Sequence, residues 1–196
     1  MNRKSLYRQL LLCALASGCA ACATTPPARF YSLPARASAQ SFLVDQDTAG
    51  LRVGPFSFPD YLRRPNIITR TSSNEITVDE FERWAGSLEN DFHRVLASRL
   101  QARLQLSQVS SYPADPHFAA SRELVGEIVS FEGFLGGDVT LDVNWIMTSK
   151  EGATQGGHSV IVVPVQGNDY NALVAAHTQA VEQFGDELAK RAGNVE

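Results

Sequence analysis

The sequence predicts an α+β fold: a two-layer sandwich in which a mainly antiparallel sheet carries two amphipathic helices on one face. Three observations point there. Residues 87–104 and 169–192 each place apolar side chains at helical spacing. Between them, residues 123–134, 139–148 and 159–165 are β-rich runs separated by turn residues, which predicts an antiparallel meander. The chain shows no internal repeat and no break that would divide it into two cores, and its 44% hydrophobic content is that of a globular protein. Two helices with one apolar stripe each, and one sheet to bury them on, make two layers.

Taken in order, the domain opens at Phe30-Tyr31-Ser32-Leu33, a β-prone run ended by Pro34. After a polar gap to Gly50, Leu51 and Val53 alternate with Arg52 and predict a strand over 51–56. Residues 59–65, Pro-Asp-Tyr-Leu-Arg-Arg-Pro, are bracketed by prolines that resist regular helix and read as an exposed turn or irregular loop. Two short β-prone runs, 67–71 and 75–78, flank Ser72-Ser73-Asn74, a hairpin-sized gap of turn formers.

The first helix starts at Ser87, a good N-cap, with Glu89 and Asp91 in its first turn where acids favour the dipole. Leu88, Phe92, Val95, Leu96, Leu100 and Leu104 form its buried stripe, and Arg94, Arg99 and Arg103 read as its solvated face. A short strand follows near Gln108-Val109-Ser110, then a loop over 112–116. In the middle strand of the meander Val139, Leu141, Val143, Trp145 and Met147 face one way, while Thr140, Asp142, Asn144 and Thr148 face the other. The last helix takes Asp169 as N-cap and lines Tyr170, Leu173, Val174, His177, Val181, Phe184 and Leu188 on one stripe.

Ahead of all this, Arg3, Lys4 and Arg8 precede the apolar run 10–16 and a stretch of small residues, the layout of a secretory signal. The run is too short for a transmembrane helix, which needs about 20 apolar residues. All three cysteines, Cys13, Cys19 and Cys22, lie here, with no partner cysteine elsewhere for a disulfide and no histidine nearer than His93 for a zinc site. Ala16-Ser17-Gly18-Cys19 instead resembles a bacterial lipobox, which makes Cys19 the expected lipidated residue, ahead of Cys22. Acyl chains add about 0.8 kcal/mol per buried methylene, so several chains on one cysteine anchor the protein for good. Ala20, in place of an aspartate after Cys19, favours the outer membrane by the usual sorting rule. The expected organisation is a signal peptide over 1–18, a lipidated tether over 19–28, and a single domain over 29–196. Loss of the signal leaves 14 Lys and Arg against 21 Asp and Glu, a formal charge of −7. An acidic domain lacks the basic face that nucleic-acid binding requires.

Catalytic signals are sparse. No glycine-rich phosphate loop, nucleophile elbow or His-Glu-x-x-His motif occurs. His93, His117, His158 and His177 are scattered, and His177 sits on an apolar stripe as a hydrogen-bonded core histidine would. Asp138 and Asp142 share a strand face but stand about 13 Å apart at 3.3 Å per residue, too far for a coupled pair. A hydrolase would have to rest on His117, His158 and Asp142; no enzyme, cofactor or metal is expected.

Several short stretches are together more telling. Val53-Gly54-Pro55, Pro59 with Tyr61-Leu62-Arg63-Arg64-Pro65, Ile67, Thr69-Arg70, Asn74, Arg83-Trp84-Ala85, Leu88, Gly137-Asp138-Val139-x-Leu141-Asp142-Val143-x-Trp145 and Asp169-Tyr170 to His177 resemble the PqiC-type ABC transport auxiliary lipoproteins. The order and spacing hold over nearly the whole mature chain. Gly86 departs from the family's Arg-Trp-Ala-Glu. The resemblance implies a non-enzymatic, outer-membrane-tethered subunit facing the periplasm. Its partner would be an MCE (mammalian cell entry) protein and, through it, an inner-membrane transporter that moves lipid and supports membrane integrity. A homo-oligomeric ring is a further implication. The stretch best suited to docking is 59–65, because two prolines reduce the ordering entropy lost on binding. Tyr61, Leu62, Arg63, Arg64 and Trp84 are its candidate contacts, although Tyr61, Leu62 and Trp84 could equally serve the domain's own core. The alternative function is a periplasmic carrier that holds lipid in a cavity of its own.

Overall fold

The computed structural model describes residues 26–35, 50–106, 108–113 and 117–192. The strands are β1 (Arg29–Tyr31), β2 (Leu51–Ser57), β3 (Asn66–Arg70), β4 (Ile76–Trp84), β5 (Val109–Ser111), β6 (Arg122–Gly133), β7 (Asp138–Ser149) and β8 (Thr154–Pro164). The helices are α1 (Leu88–Leu104) and α2 (Tyr170–Ala192), and Asp60–Arg63 forms a 3-10 turn. The eight strands make one mixed sheet whose long pairings, β6 with β7 and β7 with β8, are antiparallel. Parallel pairings are short: β1 with β4, β2 with β5, and both β2 and β3 with β6. The two helices pack on each other, α1 over β2 and β5 and α2 over β6, β7 and β8, which realises the predicted α+β sandwich.

Both helices begin where their caps predict. Ser87 Oγ accepts from the Asn90 amide and Asp169 Oδ1 from the Ala172 amide. Their stripes are buried, from Leu88 to Leu100 on α1 and from Leu173 to Leu188 on α2. The α1 arginines are solvated as expected at Arg94 and Arg103, about half exposed, and less so at Arg99, but all three have partners. Arg99 and Arg103 each reach Asp186 of α2 with two hydrogen bonds of 2.6–2.9 Å. Arg94 bonds the Leu33 carbonyl and Asp91. Burial alone would raise the Asp186 carboxyl, but the hydrogen bonds and charges of Arg99 and Arg103 hold it well below the usual carboxylate range. A partly solvated helix face is here also a clamp between helices.

The sheet is packed across its width by alternation of large and small residues. Register pairs Phe56 with Gly126, Gly126 with Trp145 and Trp145 with Gly157, one row over β2, β6, β7 and β8. A Cβ on Gly126 would stand 2.5 Å from the Phe56 ring, and one on Gly157 2.8 Å from the indole of Trp145. The glycines therefore make room for the two aromatic side chains that α1 and α2 cover. Trp145 Nε1 donates to Ser159 Oγ (3.0 Å), which donates to Glu187 of α2 (2.9 Å), and the Arg191 guanidinium lies 5.6 Å from the indole centroid.

Strands β4 and β8 are longer than their sequences predict. β4 runs on to Trp84 through Asp79-Glu80-Phe81-Glu82-Arg83 because Glu82, buried in the sheet, is held by Arg29 and by Tyr31 Oη at 2.7 Å. β8 begins at Thr154, since Gly156 and Gly157 pair with β7 instead of ending the strand. The loop expected over 112–116 and the gap 35–50 are described only in part. No helix among the described residues is long and apolar enough to cross a membrane.

Gly126→Ala is expected to cost about 2–4 kcal/mol, because backbone and a buried ring bound the new methyl on both sides. Gly86, where a Cβ would meet nothing within 4 Å, is the control: Gly86→Ala should stay within about 0.5 kcal/mol. Urea titration of the two variants checks the pair.

Candidate functional site

The stretch 59–65 interrupts what would otherwise be one continuous strand alongside β6. β2 runs parallel to β6 as far as the pair Ser57 with Glu127, and β3 rejoins β6 only at Thr69 with Gly133. Between them the chain leaves the sheet, makes the 3-10 turn Asp60–Arg63 and returns, so residues 128–132 of β6 have no strand on that edge. Of the expected turn or irregular loop the structure has the turn, and it is exposed only in part. Leu62 is buried, Tyr61 is half-buried, and Arg63 and Arg64 are exposed.

A buried carboxylate closes the gap. Glu132 Oε2 accepts the Phe131 amide (2.9 Å), which has no strand to bond, and the Tyr61 hydroxyl (2.8 Å). Its Oε1 accepts Arg70 Nε (2.7 Å), and Arg70 Nη2 lies 2.6 Å away. Burial and the Glu132 hydrogen bond push the Tyr61 phenol far above its ordinary pKa, so it acts as a fixed donor. The carboxylate thus replaces a strand, and Tyr61 fastens the turn to it.

Two buried histidines complete the support. β2 shifts register between Val53 and Phe56, where Gly54 takes φ +96°, a backbone conformation that disfavours L side chains. The Phe56 amide freed by this irregularity donates to His93 Nε2 (3.0 Å), which fixes His93 as neutral with its proton on Nδ1. Burial pushes His93 down to about 4 despite the Glu89 carbonyl. His177 Nδ1 bonds the Leu173 carbonyl (2.9 Å), as expected of a core histidine, and its ring lies 4.8 Å from Phe131 and 5.8 Å from Trp84. Burial likewise brings His177 to about 4, against the pull of the Leu173 and Phe131 carbonyls and of Glu132.

Of the candidate contacts, then, Trp84 and Leu62 face the core, Tyr61 is committed to Glu132, and Arg63 and Arg64 are at the surface. Trp84 is drawn to the turn by its amide, which donates to the Pro65 carbonyl at 2.7 Å. Glu132 and Arg70 were not identified as a pair from sequence: they are 62 residues apart and meet only across the β3–β6 junction. Asp142 and His158 meet on the outer face of the sheet, His158 Nε2 lying 2.7 Å from Asp142 Oδ1 as a solvent-exposed cross-strand pair. His117 is exposed, and its sequence neighbour Asp115 lies outside the described residues, as do Cys13, Cys19 and Cys22. Among the described residues no three His, Cys, Asp or Glu side chains come together as metal ligands.

The histidines set an acid limit. Unfolded histidine takes up its proton near pH 6.5, the folded rings only near 4, so stability is full above 6.5 and falls as pH drops toward 4. Each ring contributes up to about 3 kcal/mol of that fall. Unfolding free energies measured between pH 7.5 and 5 should show this slope, and His93→Gln should flatten it. Glu132→Ala strands Arg70, Tyr61 and the Phe131 amide and is expected to cost about 3–5 kcal/mol by the same measurement.

The comparisons with known proteins agree with this fold. A crystal structure of an uncharacterized protein superposes with a TM-score of 0.72 at 20% identity, covering 85% of this chain and 99% of the other. A Xanthomonas campestris protein of the DUF330 family gives a TM-score of 0.62 at 18% identity, covering 83% and 93%. Identities this low show a shared fold. No curated protein matches the sequence. Residues 31–189 match the family described as ABC-type transport auxiliary lipoprotein component, an auxiliary family and not an enzyme family. With four-fifths of its length inside that match, the chain belongs to the ABC-type transport auxiliary lipoprotein component family.

Proposed function

We propose that the chain is a non-enzymatic outer-membrane lipoprotein of an MCE/ABC-type envelope lipid-transport system. It holds the far end of a periplasm-spanning MCE partner and so supports membrane integrity. The carrying observation is the family match over residues 31–189, in a chain that has Ala16-Ser17-Gly18-Cys19 in lipobox order just ahead of it. Acylated Cys19 fixes the domain to the membrane, with Cys22 as the lesser candidate. Docking through residues 59–65 uses Arg63 and the open edge of Tyr61, with Arg64 at the C-terminal end of the turn, while Leu62 and Trp84 hold the shape of the turn from inside. Several identical subunits around one partner are compatible with this role.

A carrier that encloses lipid between helices and sheet is the weaker reading. That space is occupied by Phe56, Phe92, Phe131 and Phe184, whose ring centroids lie 5.2–6.5 Å from one another in successive contacts. Lipid could enter only by displacing packed rings.

Detergent extraction followed by affinity purification and native mass measurement should recover an MCE or ABC component with the lipoprotein. A monomeric mass with neither component would overturn the docking role. Metabolic labelling with an alkyne palmitate tests the anchor separately: Cys19→Ala should abolish the label and Cys22→Ala should leave it.

A further inference from the structure

The β1 edge is where the tether enters the fold, and it carries an unusual surface. Phe30 is 64% exposed, more than any other large hydrophobic side chain among the described residues. Register places Phe30 opposite Arg83 of β4, and Arg83 opposite Asn66 of β3, while the Pro65 carbonyl accepts the Trp84 amide. Phe30 and Arg83 therefore lie at one end of the sheet on neighbouring strands, and Arg64 lies just ahead of β3 at the same end. Arg29, which register pairs with Glu82 on the other face of β1, stands at the same edge with its side chain 66% exposed. Its contacts with Glu82 use Nε and Nη2, and Arg83 uses Nε on the Glu80 carbonyl, so each guanidinium keeps further N–H donors. This cationic and aromatic end belongs to a mature chain of formal charge −7.

We infer that this end of the sheet, Phe30 with Arg29, Arg64 and Arg83, lies against the anionic phospholipid surface that holds the anchor, and that it orients the domain there. The inference rests on lipidation of Cys19 as proposed above. Cys19 and Arg29 are ten positions apart, a reach of at most about 35 Å, so the β1 edge cannot leave the neighbourhood of the bilayer. A tether this short gives an effective concentration of order millimolar, at which a weak patch is occupied. Phenylalanine gains by entering the headgroup boundary and arginine by pairing with lipid phosphate. An acidic domain would otherwise be pushed off an anionic membrane; placing its arginines beside the tether reverses that repulsion locally.

The test separates the patch from the anchor. The mature chain from residue 19 carrying Cys19→Ala, which retains the whole described fold and has no acyl chain, is floated with vesicles of phosphatidylethanolamine and phosphatidylglycerol at 3:1, and with phosphatidylcholine vesicles. It should bind the anionic vesicles at low salt, release at 0.5 M salt, and ignore phosphatidylcholine. Arg64→Ala should weaken partition about fivefold, and Phe30→Ser should weaken it also. Both residues are exposed, so an unchanged melting temperature confirms the variants are folded. Equal binding to phosphatidylcholine, no binding to either vesicle, or variants that bind like their parent would each overturn the inference. So would loss of a co-purified MCE protein in Arg64→Ala with vesicle binding unchanged, which would assign the patch to a protein partner. Failure of palmitate labelling at Cys19 sinks the anchor and is read independently of vesicle binding.

Discussion

A backbone amide inside a protein must find a partner, and the fold turns on how this chain meets that demand along one edge of β6. The turn at 60–63 takes the neighbouring strand away from residues 128–132. Left alone, the Phe131 amide would be a buried orphan, at about 1–3 kcal/mol. The Glu132 carboxylate answers it and also gathers Tyr61 and Arg70. His93 does the same service for the Phe56 amide at the irregularity of β2. Two buried polar side chains thus let a sheet be broken and still be complete. The turn that carries Arg63 and Arg64 exists because the gap behind it is sealed.

The same economy explains the packing. Strands β6, β7 and β8 are long and antiparallel, so alternation puts every second residue toward the helices. Phe56 and Trp145 are too large to sit side by side on neighbouring strands, and Gly126 and Gly157 separate and flank them. The helices are held down by burial of their stripes and against each other by Asp186 between Arg99 and Arg103. Because each arginine delivers two donors to one carboxylate, the geometry of that contact is specific as well as attractive.

What could be read in the sequence was what is periodic or local. Helices α1 and α2, their caps Ser87 and Asp169, and the inward face of β7 follow from spacing alone, and the structure has them where the spacing puts them. Most misreadings share one cause, a partner distant in the chain. Arg99 and Arg103 look merely solvated until α2 brings Asp186 against them, 83 to 87 residues later. The run 75–78 reads as a complete short strand until Arg29 and Tyr31 of β1 hold Glu82 in its continuation. The proline-bracketed stretch reads as a loop because nothing local says that Leu62 fills a core or that Glu132 waits for Tyr61. Parallel pairing of β2 and β3 to one strand leaves no short-range trace at all.

A tether of the kind proposed would load β1, which has three residues paired to β4 and is poorly suited to bear it alone. The residues that follow take the load. Leu33 is completely buried, its amide donates to Asp91 Oδ2 (2.8 Å), and its carbonyl accepts from Arg94 (2.7 Å). Both partners belong to α1, so a pull arriving through residue 29 is passed at residue 33 to the helix layer, where the cohesion of the core resists it. Unzipping β1 would cost little, whereas extracting Leu33 means opening a cavity under α1 and breaking two charge-assisted bonds. Burial of the titratable side chains at the sheet gap points the same way: Glu132, His93 and His177 are spent on holding the fold. The exposed turn and the β1 edge beside it carry none of these buried titratable groups.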